Sequence, residues 1–246
     1  MLNIVKKLRS GYLGENIIQE RVMEGGTWSM TEEWVPNAVT NNQISNRAVV
    51  FGNGTSREGF YTGHVMQKFS GLLGADTLQT YGCNAFYRDH TPDFLICTSS
   101  VIAKEIKDSG YCDDNVVYTR VVETLNYPGK FYVIPFDPYA DAGTTAAYIA
   151  AFDGHKKVYL VGFGGMHHEG YNDNVYGGTN GYDAATDTLE HHKEWAKNIV
   201  KLCNCYTDVQ FIRVTKTGRQ PSPTEWDSVT NLSQISFRDI VVQNDL

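Results

Sequence analysis

The short apolar run Ala48-Val49-Val50-Phe51, halted by Gly52-Asn53-Gly54, most restricts what this chain can become. Four consecutive apolar residues without alternation suit a strand buried on both faces, and such strands belong to parallel sheets covered by helices on each side. Further strands are expected at 77–81, 93–97, 115–120, 130–135, 157–163 and 209–214. Helical patterns lie between them at 99–109, 144–152 and 186–202. Ser99 or Ser100 caps the first of these, and Gly154 closes the second. Strands alternating with helices predict an α/β chain with a Rossmann-like, mostly parallel sheet and flanking helices. Ligands of such sheets collect at the carboxyl ends of the strands, near the point where strand order reverses. The positions to inspect are therefore 52–56, 82–84, 98–100 and the loop after Phe163.

A length of 246 residues fits one larger domain with appendages. Residues 1–46 stand apart: a weakly helical start, then Gly25-Gly26, Trp28, Trp34, Pro36 and a polar run over 40–46. They read as an N-terminal extension, packed on the domain or used to meet a second copy or an assembly partner. The nucleotide-binding domain then spans 47–246. Within it, a Gly-, Tyr- and Asn-rich stretch at about 164–185 is long for a compact domain, and loops of that length serve as lids or binding loops. The tail 233–242 reads as an edge strand or a packed extension.

Charge and cysteine usage narrow the function classes. The net charge is −7 and the pI about 5.5, which argues against nucleic acid as a partner, although helix N-termini can still supply local positive potential to a small phosphorylated ligand. The five Cys are odd in number and form no CxxC, so a reducing compartment fits better than a disulfide framework. No apolar h-region follows Lys6, Lys7 and Arg9, and no segment approaches 18 apolar residues, so neither a signal peptide nor a membrane span is expected and the expected location is cytoplasmic. No Asp-x-Asp ends a hydrophobic strand, and no P-loop or Gly-x-Ser-x-Gly elbow occurs, so no metal and no resident cofactor are expected.

Gly52, Asn53, Gly54, Thr55 and Ser56 combine glycines that let a ligand approach the backbone with side chains able to hydrogen-bond to it. The dinucleotide fingerprint is absent, because Arg57 stands at the place of its third glycine and the second strand leads to Asn84 rather than to an acid, which disfavours NAD. A tight turn with a capping hydroxyl explains the same five residues equally well. Thr144 and Thr145 open an Ala-rich helix, where their hydroxyls meet a phosphate or ribose or simply cap the turn. Tyr171, Tyr176 and Tyr182 in the long loop bring phenols able to donate to a leaving phosphate. His167-His168 in that loop is a poor ligand pair for a metal. His191 and His192 open the last long helix. Position 192 continues the stripe Leu189, Ala196, Ile199, Cys203, whereas 191 falls on the neighbouring face.

Four segments, in order, resemble the bacterial sialyltransferases of lipooligosaccharide synthesis. They are Val50-Phe51-Gly52-Asn53-Gly54-Thr55-Ser56, Cys83-Asn84-Ala85-Phe86-Tyr87, the stretch from Gly143-Thr144-Thr145 through Phe152-Asp153-Gly154, and Val158-Tyr159-Leu160-Val161-Gly162-Phe163. The resemblance covers roughly 48–214. It implies a Rossmann-like domain with a small lid that transfers a sugar from a CMP-activated donor to a glycan acceptor, with inversion and without metal. It further implies that Asn53 and Ser56 contact the donor, that Asn84 holds the nucleotide near its phosphate, and that Thr144 and Thr145 face the ribose or base. His191 or His192 would be the general base, and lid phenols would receive the leaving phosphate.

Thr55 replaces the family's Pro, Gly164 its acid, Met166 its nearby Tyr, and residues 1–46 have no counterpart. The extra residues 1–46, with Trp28 and Trp34, and the lost acid at Gly164 favour a second reading, a non-catalytic structural or assembly protein that keeps the nucleotide fold. A third reading is a pterin diphosphokinase-like nucleotide transferase, which shares the early Gly-Asn-Gly element and would need ATP and magnesium.

Overall fold

The computed structural model describes residues 3–10, 16–24, 27–35, 46–67, 78–134, 138–164, 174–183 and 189–242; within these, side chains are described outside 3–35, 189–192 and 241–242. The N-terminal extension is a three-stranded antiparallel meander, β1 (Asn3–Ser10), β2 (Asn16–Glu24) and β3 (Thr27–Val35). The weakly helical start expected from the sequence is thus a strand. β-Branched residues explain this, since Ile4, Val5, Ile17, Ile18, Val22, Thr27, Thr31 and Val35 favour a pleated backbone. Register sets Trp28 opposite Met23 and Trp34 opposite Ile17.

The rest of the chain builds one eight-stranded sheet. Its strands are β4 (Arg47–Phe51), β5 (Gln79–Cys83), β6 (Phe94–Cys97), β7 (Val117–Thr119), β8 (Tyr132–Val133), β9 (Lys157–Val161), β10 (Gln210–Thr215) and β11 (Leu232–Ser236). They lie in the order β11-β10-β9-β4-β5-β6-β7-β8, and every neighbouring pair is parallel. The chain winds outward from β4 to β8, returns to lay β9 against β4, and winds outward again to β11. This is a Rossmann-like α/β sheet whose direction reverses between β4 and β9. The tail supplies the edge strand β11, paired with β10.

Two hydrophobic layers sandwich the sheet, in keeping with its period of two. Val49, Phe51 and Leu95 join Val65 of α1 (Thr62–Met66) and Ile102 and Ile106 of α2 (Ser100–Ser109). Ala48, Val50, Val158 and Leu160 join α5 (Ala142–Phe152) and Ile199 and Leu202 of α6 (Leu189–Cys205). Each fully buried Val, Leu or Phe contributes about 1.5–3 kcal/mol. Between the layers' helices come the short α3 (Tyr111–Asp114) and α4 (Val121–Asn126), and α7 (Asp239–Val242) follows β11. Ser99 caps α2 by accepting from the Ile102 amide, and Gly110 ends it in the left-handed region at φ 75°. α5 is buried along nearly its whole length, which its Ala-rich sequence permits by letting backbone lie close to the sheet.

Candidate functional site

The carboxyl ends of β4 and β9 meet through their backbones. Gly52 donates to the Val161 carbonyl at 2.8 Å and Gly54 to that of Gly162 at 3.0 Å. A Cβ on Gly54 would stand 2.5 Å from the Gly162 oxygen, and one on Gly52 2.8 Å from it. The glycines that the sequence offers to a ligand are therefore needed for the contact between these two strand exits. The side chain of Asn53, between them, is buried and links β5 to the loop 174–183: its amide donates to the Cys83 carbonyl at 3.1 Å and to the Tyr182 hydroxyl at 3.0 Å. Thr55 and Ser56 lie in the 3₁₀ turn that follows. The Ser56 hydroxyl is buried and has no hydrogen-bond partner, a state that costs about 1–3 kcal/mol when nothing fills it.

Asn84 follows β5 with φ 45°, a left-handed conformation that Asn tolerates better than most residues. Its side-chain oxygen accepts from the Thr98 amide at 3.0 Å and so ties the exit of β5 to that of β6. The sequence expectation ended β5 at Tyr81, but the strand runs on through Gly82. The glycine is required inside the strand because a Cβ there would press on the Phe86 ring at 2.5 Å.

Asp141 is a site residue that the sequence reading missed. It caps α5 by accepting from the Thr144 amide at 2.9 Å and from the Thr144 hydroxyl at 2.6 Å, while the Thr145 hydroxyl donates to the Asp141 carbonyl at 2.8 Å. Both threonine hydroxyls are thus engaged in the capping turn. Burial raises the Asp141 carboxyl, with the Thr144 hydrogen bonds opposing it. A Cβ on Gly143 would stand 3.3 Å from the Asp141 carboxylate and 3.4 Å from the Phe163 ring, so the glycine lets both approach the start of α5. An Asp three residues before a Thr at the head of an Ala-rich helix was the available signal.

The described part of the lid, 174–183, lies over the β4 exit. Asn174 pairs with Gly54 in an antiparallel bridge, and the Val175 amide donates to the Asn53 carbonyl at 2.9 Å. The Tyr182 hydroxyl also receives the Ala85 amide at 3.3 Å, and burial pushes its pKa up to about 12. Tyr176 donates to Asp89 at 2.7 Å and accepts from Arg57 at 2.9 Å. Arg57 is buried, with its guanidinium 4.9 Å from the Phe86 ring centre and 5.3 Å from that of Tyr176. Arg88 grips the lid through Thr179 at 2.7 Å and the Asn180 carbonyl at 2.8 Å, and its opposite partner is Glu105 of α2. That pairing holds the Glu105 carboxyl down at about 2, with Arg88 the largest cause.

Tyr171, His167 and His168 lie outside the described residues. His191 and His192 fall in the first turn of α6, outside the described side chains; farther along the stripe that position 192 continues, Ala196, Ile199 and Cys203 are buried. Cys83 and Cys97 sit at adjacent strand ends, and burial pushes both thiols up to about 12, far from a reactive thiolate at neutral pH. Among the described residues no group of His, Cys, Asp and Glu is placed to hold a metal ion, and no helix is long and apolar enough to cross a membrane. Beyond Asp141, the sequence reading passed over Arg57, Arg88, Asp89 and Glu105. Arg57 had been in view only as the residue displacing a fingerprint glycine.

No family model matches the chain, and no curated protein matches it. Among solved structures it is similar to the monofunctional alpha-2,3-sialyltransferase Cst-I from Campylobacter jejuni, with a TM-score of 0.49 and 10% identity over 77% of this chain and 84% of that one. A likeness this distant assigns no chemistry.

Proposed function

We propose that this chain is a sialyltransferase-like glycosyltransferase that takes a CMP-activated sugar as donor and a glycan as acceptor, inverts the anomeric centre and needs no metal. One observation carries the reading. The four segments that resemble the lipooligosaccharide sialyltransferases converge around the point where the sheet reverses, three of them through the exits of β4, β5 and β9 and the fourth through the start of α5. In this reading Asn53 and Ser56 face the donor, Asn84 stands near its phosphate, and Thr144 and Thr145 border the ribose or base. The unpartnered Ser56 hydroxyl gives the donor a hydrogen-bonding group to satisfy. Tyr171, Tyr176 and Tyr182 supply phenols at the departing phosphate, and His192, or His191, removes the acceptor proton.

The test is release of CMP from CMP-sialic acid with and without a galactosyl acceptor, in the presence of chelator. Activity that survives EDTA is expected, and His192→Ala is expected to lower kcat roughly 10²–10⁴-fold with nucleotide affinity kept. Loss in EDTA restored by magnesium, or equal mild effects at His191 and His192, counts against it. A second reading is a non-catalytic module whose N-terminal sheet meets an assembly partner or a second copy. It is favoured by the internal use of the Tyr176, Tyr182, Thr144 and Thr145 hydroxyls and of the Asn84 amide oxygen. A cytoplasmic location belongs to either reading.

A further inference from the structure

Arg57 and Arg88 both stand beside the Tyr176 ring, yet their charges are met differently. Arg88 is matched by Glu105 through two hydrogen bonds of 2.7 Å, one to each carboxylate oxygen, so its charge is neutralised where it holds the lid. Arg57 is buried, and its hydrogen bonds run to neutral acceptors: the Gly52 carbonyl at 3.4 Å, the Asn53 side-chain oxygen at 3.5 Å and the Tyr176 hydroxyl at 2.9 Å. Among the described residues the carboxylate that pairs with it, Asp89, stays 3.9 Å away and is half exposed. Asp89 is instead seated on the Tyr176 hydroxyl at 2.7 Å, at the outer end of a line that runs from Arg57 through the phenol to solvent. A buried cation bonded mainly to neutral groups, with a solvent-facing anion resting on its phenol, is the arrangement of an anion seat holding an internal occupant.

We propose that the Arg57–Tyr176 pair forms a phosphate seat which Asp89 occupies in the free protein, so that a nucleotide phosphate must displace the Asp89 carboxylate to bind. The proposal rests on the role given to Tyr176 above and adds to it a cation behind the phenol and a built-in competitor in front of it. Arg57 would make the phenol a stronger donor toward an incoming phosphoryl oxygen. Asp89, exposed and attached to the end of a 3₁₀ turn, can swing into water at little cost.

The experiment is calorimetric titration of the full chain, Asp89→Asn, Arg57→Gln and the double variant with CMP, cytidine and inorganic phosphate. Asp89→Asn keeps the shape and an acceptor for Tyr176 while removing the competing charge. It is expected to bind CMP about 3–10-fold more tightly than the wild type and cytidine equally well, since a self-occupied site lowers apparent affinity by the fraction that is free. The double variant is expected to lose that gain; Arg57→Lys replaces Arg57→Gln if circular dichroism reports misfolding. CMP bound no more tightly by Asp89→Asn, or an equal gain for cytidine, overturns the seat. If no variant binds any cytidine nucleotide, the donor reading fails on its own. Inorganic phosphate then decides the seat: tighter binding by Asp89→Asn supports it, and an unchanged affinity overturns it.

Discussion

At Gly162 a side chain is excluded twice. Its φ is +79°, and a Cβ would stand 2.5 Å from the Gly52 carbonyl oxygen. Gly129 has nearly the same backbone, φ +75°, with nothing near its Cβ position. Gly129→Ala should therefore cost only the left-handed backbone, about 1–2 kcal/mol, whereas Gly162→Ala adds the forced separation of the β4 and β9 exits. Urea denaturation is expected to rank Gly162→Ala clearly the more damaging, and equal losses would contradict the packing role given to these glycines. On the other side of the sheet, Tyr81 hydrogen-bonds Asp153 and stands 3.0 Å from the His155 ring nitrogen, all three buried. Burial pushes the Asp153 carboxyl up to about 8, against the lowering effect of the Tyr81 hydrogen bond. The unfolded chain releases this proton near pH 4 and the folded one near 8, so folding takes up a proton in between and the group's contribution is lost as pH rises through that window. Asp153→Asn cannot titrate, so its melting temperature should fall less steeply between pH 4 and 8 than that of the wild type. Parallel slopes would place Asp153 among ordinary carboxylates.

The lid is held as an element, and its hold is separable from the core. Arg88 and Glu105 join 3₁₀ turn, lid and α2, and Asn180 donates to Glu105 at 2.6 Å. Glu105→Ala removes the acceptor for both and should speed amide exchange across 174–183 while β4 and β9 stay protected. Unchanged lid exchange would assign the hold to the contacts that do not pass through Glu105, among them the Asn174–Gly54 bridge and the Asn53–Tyr182 bond. Among the elements, the apolar runs of β4, β6, β9 and β10 were legible because burial on both faces writes itself as continuous hydrophobicity. The start of α5 was misjudged by two residues, since Thr144 resembles a cap while Asp141 performs the capping. The short α1, α3 and α4 carry too few residues for a helical period to register. The polar network at the strand exits was legible only in part: Asn53 stands out because it follows a buried strand between two glycines, but the links of Arg57 to Tyr176 and of Arg88 to Glu105 span 119 and 17 residues, and spacing encodes neither.

The sheet reverses between β4 and β9, and in the proposed reading the donor binds there, so its binding should report on global stability. A ligand that binds only the folded state adds RT ln(1 + [L]/Kd), about 2.7 kcal/mol at a hundred times Kd. For a chain of this size each kcal/mol moves the melting temperature by roughly 2–4 °C, so a saturating ligand should raise it by about 5–11 °C. CMP is expected to give such a shift. NAD is not, because two features oppose a dinucleotide: Arg57 fills the place of the fingerprint's third glycine, and β5 leads to Asn84 rather than to an acid, with the Asn84 side-chain oxygen accepting from Thr98. Asn53→Ala should reduce the CMP shift, since it removes at once the donor to Cys83 and Tyr182 and the group proposed to face the sugar nucleotide. A panel of CMP, CDP, UDP, ATP and NAD, each with and without EDTA, separates the readings. A shift with ATP and magnesium alone favours the diphosphokinase-like transferase, a larger shift with NAD than with CMP contradicts the proposed donor, and no shift with any nucleotide leaves the sheet as the scaffold of a non-catalytic module.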